Sequence, residues 1–397
     1  MKWYRLLLIS ALLLIVIIAV AKTKVQLERV QVEGIEQFHL DLLTNEESDY
    51  LLFYPADIRV NQDATIVKAI NENGEVVEEF EIVDDEFRRM LIHQKPTDMD
   101  TLYVSLFGEA TSDNYYYTFD LQRLSFEKVE LDYFSSNVGV QNLEHFGEEV
   151  LFDTAVSHKT GEQNIDPDTY AFNVSLSNAT TEQSFETELD FVPKSAPLLG
   201  FQERIIYGLS GRLNQEGHYE NAGIGIVDMA KENVTYEDFQ QEGQDLYPLY
   251  ANDDYAYILS EEGTLFVYDR EFQYRATYPF HHLPRQDMYY LEGEGAVFLE
   301  ENKAFYLVQS EEDGFTLGLL TFGEHPTFQA LEKDYIQKDA TYEILYYDHV
   351  VKEIYLREEG ADAHLLIIDN GTFDVKAKIP IEDSHLLDFV LKVERSK

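Results

Sequence analysis

The chain has 397 residues, no cysteine and a formal charge of −45. The missing cysteine excludes disulfides, thiolate metal sites, a thiol nucleophile and a lipid-anchoring cysteine, and so acidic a body repels nucleic acid and anionic lipid. Apolar residues make up 45%, enough for a sizeable core, and 27 Tyr with 25 Phe favour strands over helices.

Met1-Lys-Trp-Tyr-Arg5 precedes an uncharged apolar run, Leu6 to Ala21. With Trp3 and Tyr4 at headgroup depth the stretch reaches bilayer-spanning length, about 20 residues. Lys2 and Arg5 keep the N-terminus inside. Residues 1–21 therefore read as the single transmembrane helix of a signal anchor, with the bulk of the chain extracytoplasmic. Ala19-Val20-Ala21 also fits a small-x-small cleavage site, so a removed signal peptide and a secreted protein form the alternative. Residues 22–48 are mixed and charged, a stem or linker in which Val25–Val32 is either a strand or the exit from the membrane.

Residues 49–397 read as one all-β domain. Short apolar runs such as Leu102–Phe107, Tyr115–Phe119, Ile224–Val227, Ala296–Leu299 and His364–Ile368 alternate with turn residues. Asn73-Gly74, Glu262-Gly263, Asp313-Gly314 and Asn370-Gly371 supply hairpin turns. Asp84–Ile92 fits at most two helical turns, and Pro193 and Pro197 flank the one break in the pattern. Phe272, Tyr274, Ala276 and Tyr278 alternate with polar residues, as in an outer strand with one wet face. Leu386–Val393 reads as a closing strand that completes the first unit.

A strand–turn–strand phrase recurs about seven times. Anchored on Asn71, Asp120, Ser177, Asp228, Asp269, Ser310 and Asp369, the steps are 49, 57, 51, 41, 41 and 59 residues. That period predicts a seven-bladed β-propeller; six or eight blades also fit the spacing. The clearest copy, Ala256-Tyr-Ile-Leu-Ser-Glu-Glu-Gly-Thr-Leu-Phe-Val-Tyr-Asp269, resembles a blade of the β-propeller superfamily, in its tryptophan-aspartate and quinoprotein-like branches. The resemblance covers Tyr50 to about Val393 and implies architecture alone. The docking tryptophans of the quinoprotein branch are missing, so its cofactor is not implied.

Catalytic signals are absent. Gly208-Leu-Ser210-Gly211 lacks the spacing of a nucleophile elbow and makes Ser210 a turn residue. No metalloprotease, P-loop or dinucleotide motif occurs. The expectation is no catalytic residue, no metal ligand and no cofactor, with structural calcium the one exception that Asn252-Asp-Asp254, Asp166-Pro-Asp168 and Glu311–Gly314 would allow. Pro279–Met288 joins two units and gathers His281, His282 and Arg285 in an acidic chain. These three are the ligand- or partner-contact candidates; a rigid turn is the plainer reading. Arg88, Arg89, His93 and Lys95 form a second basic group, read as salt-bridged surface. The expected function is a membrane-anchored binding or sensing module. Its partner would be a protein or cell-envelope component of cationic character. The alternatives are an exported glycan- or peptide-processing enzyme on the same scaffold and a purely structural envelope part.

Overall fold

The Tyr255–Asp269 phrase shows how this sequence makes its strands. Tyr255–Ser260 and Thr264–Asp269 pair antiparallel, with Tyr255 opposite Asp269. The buried Ser260 hydroxyl accepts from the Thr264 N–H (3.1 Å), and Gly263 turns the chain at φ +78°. At the far end Asp269 Oδ1 accepts from the main-chain N–H groups of Glu271 and Gln273, which bends the chain into the next strand, Tyr274–Pro279. Asn71, Asp120, Asp228 and Asp369 close the equivalent turns through the same side-chain oxygen. An Asx turn at the end of each such third strand is thus the physical content of the repeat. The exception is informative: Ser310 ends a second strand, and the equivalent position is Thr321, at the end of Gly314–Thr321. With Thr321 as anchor the last two steps become 52 and 48 residues instead of 41 and 59.

The computed structural model describes residues 29–394 apart from 44–46, 57–61, 84–88, 95–99, 108–114, 132–141, 147–148, 156–171, 179–182, 190–191, 194–198, 214–218, 221–222, 229, 232, 239–245, 261–262, 280–295, 300–301 and 311–313. Described helices are single 3-10 turns such as Ile35–Gln37 and Ser384–Leu386, and none is long and apolar enough to cross a membrane. The run Leu6–Ala21 lies outside the described residues.

The described strands form seven sheets. Six are built from consecutive strands, spanning 89–130, 142–189, 192–238, 246–279, 296–331 and 341–380. The other is composite. Its core is Tyr50–Tyr54, Thr65–Ile70 and Val76–Val83. The C-terminal Phe389–Lys392 pairs antiparallel with Tyr50–Phe53 on one side, and Val30–Glu33 pairs parallel with Phe80–Val83 on the other. Six sheets are therefore consecutive-strand blades, and the expected seven is reached only by adding a sheet assembled from both ends of the chain.

Neighbouring sheets close into a ring. The composite sheet meets the second sheet through Phe53 and Phe126, with ring centroids 6.2 Å apart, and the last sheet through Phe389 and Tyr346, at 5.2 Å. Arg89–Gln94, Asn142–Phe146 and Leu199–Phe201 carry the contacts through the third sheet to the fourth. Phe201 meets Phe272 between fourth and fifth sheets; Tyr247 packs with Tyr306 between fifth and sixth, and Phe305 with Tyr347 between sixth and last. This is the all-β propeller that the repeat predicts. Gly223–Asp228 and His364–Asp369 are buried along almost their whole length, as strands sandwiched between sheets must be. Tyr274–Pro279 is mostly exposed, as an outer strand should be.

Four local expectations change. Arg89–Gln94 is a strand paired with Leu102–Phe107, with Met90 buried, so the short helix is replaced by sheet pairing. Ser210 lies inside the ten-residue strand Arg204–Leu213, not in a turn. In the Asn370-Gly371 turn the left-handed residue is Phe373, at φ +56°. The segment expected as a stem contributes Val30–Glu33 to the first sheet. Its Phe38 sits edge-on between Phe53 and Phe80, so the folded body starts ahead of residue 49.

Candidate functional site

His281, His282 and Arg285 lie outside the described residues; chain order places them between the fifth and sixth sheets. The side chains of Arg88, Arg89, His93 and Lys95 also lie outside them. Of the acid-rich loops, Asn252–Asp254 is described. Its Asn252 Oδ1 accepts from the N–H groups of Asp254 (3.0 Å) and Tyr255 (2.9 Å), so the oxygen is engaged in the turn. Among the described residues no group of three or more His, Cys, Asp or Glu is arranged to hold a metal ion.

Among the described residues a dense titratable cluster that sequence reasoning missed lies on the strand Glu353–Glu359 of the last sheet. Glu353 is fully buried. Its carboxylate accepts from Lys376 and Tyr355 of its own sheet and, across the seam, from Tyr50 and Lys392 of the composite sheet (Lys392 at 3.1 Å). Burial and the Glu353 charge push the Tyr50 hydroxyl up from its ordinary value. Further along the same strand, Arg357 binds Glu343 and the carbonyls of Ser384 (3.1 Å) and Leu387 (2.8 Å), which lead into the closing strand. Glu358, also buried, accepts from Tyr342 (3.0 Å) and Lys378 (2.6 Å) and stands 2.9 Å from His364 Nδ1. A buried carboxylate needs such partners. Their placement makes Glu353 and Arg357 a latch between the last sheet and the strand that closes the ring.

A different surface faces solvent between the fifth and sixth sheets. Tyr250 lies near the end of the strand Leu246–Ala251; its ring stacks on Phe322 at 4.3 Å and 24°, and on Phe298 at 5.4 Å and 21°. Phe322 is buried, whereas Phe298 is 36% exposed. The Tyr250 hydroxyl donates to Asn302 Oδ1 (3.0 Å), which also accepts from Asn252 Nδ2 (3.3 Å). Burial and then the Asp253 charge push that hydroxyl up. Asp253 and Asp254 are exposed at the tip of the adjoining turn. The Asp253 carbonyl is tied down by Gln202 Nε2 (3.1 Å) and Arg270 Nε (3.2 Å). The result is a fixed aromatic ledge beside two carboxylates, which suits recognition of a flat apolar or cationic group. Its signal in the sequence was an aromatic recurring every 48 residues near the end of a first strand: Tyr250, Phe298, Tyr346.

Sheet order and ring closure define a β-propeller. Among solved structures the chain is similar to the β-propeller domain of Cps50 (Swd1) from Myceliophteria thermophila. The two share 10% identity over 74% of this chain and 86% of that one, with a TM-score of 0.46. No family model and no curated protein matches the chain.

Proposed function

We propose that this chain is a membrane-anchored, extracytoplasmic protein-binding propeller of seven blades, the composite sheet counting as one. The observation that carries the binding role is the Tyr250–Phe298 ledge. It is a partly exposed aromatic surface on the first strands of two neighbouring sheets, fixed by stacking and by the Tyr250–Asn302 hydrogen bond, and so it binds at low entropic cost. Anchoring is supported by the apolar run Leu6–Ala21 behind Lys2 and Arg5. The charge of −45 favours a cationic partner and faster encounter with it.

Protease added to intact cells and cross-linking in isolated membranes test this together. The expected result is cleavage of the body from outside, retention of the chain in the membrane fraction, and a protein cross-link that weakens when Phe298 is replaced by Ala. A chain protected inside the cell, or freely soluble, would overturn the placement. A second reading, an exported hydrolase, has one observation in its favour, the buried Glu358 behind the His364 imidazole. It requires turnover of an added glycan or peptide that is lost in His364→Ala.

A further inference from the structure

Three times in the described structure a tyrosine ring and a carboxylate share one lysine of the same chain. Lys68 Nζ lies 4.7 Å from the Tyr54 ring centroid and 4.0 Å from Asp383. Lys128 Nζ lies 3.9 Å from the Tyr115 ring and 3.9 Å from Glu130. Lys392 Nζ lies 5.4 Å from the Tyr50 ring and 3.1 Å from Glu353. The combination follows from composition. With 75 acids, 30 Lys and Arg, and 27 Tyr beside 25 Phe, rings and carboxylates are plentiful and cations scarce. An ammonium held by a ring face and an anion at once gains from both.

The ledge between the fifth and sixth sheets repeats the ring-and-carboxylate half of this arrangement. Tyr250 and Phe298 supply near-parallel rings, and Asp253 is close enough for its charge to raise the Tyr250 hydroxyl. Among the described residues no lysine lies over either ring. Arg270 is directed to the Asp253 carbonyl. The turn is held rigid from three sides, by Asn302, Gln202 and Arg270. Phe298 and both carboxylates face solvent.

We propose that this ledge takes the fourth lysine from outside: a lysine side chain of a partner protein, its ammonium placed over Phe298 and Tyr250 and paired with Asp253 and Asp254. This rests on the protein-binding reading above and gives that partner its chemistry. The anchoring contact is a lysine in a short basic stretch, bound where the first strands of two neighbouring sheets meet, away from the closing strand. Ionic attraction to the whole acidic body adds on-rate, and the rings supply the site.

The test uses the full chain in detergent micelles and, as probe, a hexalysine peptide acetylated at one end and amidated at the other, titrated calorimetrically at physiological salt. Phe298→Ala removes a ring and no charge, and it changes an exposed residue, so the fold persists. It should weaken binding about fivefold, the size of one cation–π contact. Asp253→Asn with Asp254→Asn should weaken it at least as much. Two controls should leave affinity unchanged: Tyr274→Ala, which removes an exposed ring elsewhere, and Glu332→Gln with Asp334→Asn, which removes the same charge elsewhere. Absence of binding, or equal binding by Phe298→Ala and wild type, would overturn the proposal. If a membrane partner is captured and its binding survives Phe298→Ala, this site is wrong while the binding function stands. If the peptide binds the ledge and no partner is captured, the reverse holds.

Discussion

Removing the Glu353 side chain should open the ring at one seam. Glu353 is fully buried and engages two lysines and two tyrosine hydroxyls, one lysine and one tyrosine from each side of the closure. Breaking a buried ion pair by deleting one partner costs about 3–5 kcal/mol. Here the stranded lysines keep an outlet, since the side chains of Lys376 and Lys392 are 42% and 25% exposed. That places Glu353→Ala at the low end, about 3 kcal/mol, or on the order of a hundredfold in a local opening equilibrium. Hydrogen exchange reads this directly. Amides of Phe389–Lys392 and Tyr50–Tyr54 should exchange about a hundredfold faster, and those of the fourth and fifth sheets should be unchanged. Lys376→Met, which leaves Lys392 on the carboxylate, should cost under about 1 kcal/mol, as partly exposed pairs do. The latch assignment fails if Glu353→Ala leaves Phe389–Lys392 as protected as in the wild type, or if Lys376→Met loosens that strand equally.

Two more outcomes follow from buried groups elsewhere. Burial holds the His349 imidazole down to about 4 from its ordinary 6.5, so it is neutral in the folded chain at neutral pH. The unfolded chain takes up the proton first, so stability is lost as pH falls from 6.5 through 4, by up to about 3 kcal/mol. His349→Gln should flatten that part of a denaturant-midpoint-against-pH curve; a parallel curve would show that the imidazole is not the titrating group. Gly225→Ala should destabilise the fourth sheet. A Cβ there would collide with Cζ of Tyr207, whose ring is buried across the strand pair. Overpacking of this kind costs about 1–3 kcal/mol. An unchanged melting temperature would mean that the ring has room to move.

Much of the fold was legible because it is local. Ser260, Gly263 and Asp269 each act on N–H groups or turns within four residues, so their order along the chain already encodes the hairpins. The slip at Ser310 came from the same locality: a polar residue after an apolar strand marks a second strand as readily as a third. Asp84–Ile92 reads as at most two helical turns because its charges hide the pairing of Arg89–Gln94 with Leu102–Phe107. The latch was not legible at all. Glu353 meets Lys392 only when the ring closes, and among 75 acids nothing along the sequence distinguishes it. The ledge lies between these cases. Its aromatics recur at a fixed spacing, yet exposure of Phe298 and burial of Phe322 are decided by the neighbouring sheet.

The composite first sheet has a consequence for synthesis. Tyr50–Tyr54 leaves the ribosome early, but its partner Phe389–Lys392 is made about 335 residues later, a wait of tens of seconds at ordinary elongation rates of about 5–20 residues per second. During that interval Tyr50–Phe53 presents an open edge, and every sheet made meanwhile belongs to an arc rather than a circle. A product truncated before Phe389 would lack the strand Phe389–Lys392, leaving the first and last sheets unable to brace each other. Synthesis of Phe389–Lys392 is thereby coupled to closure of the ring.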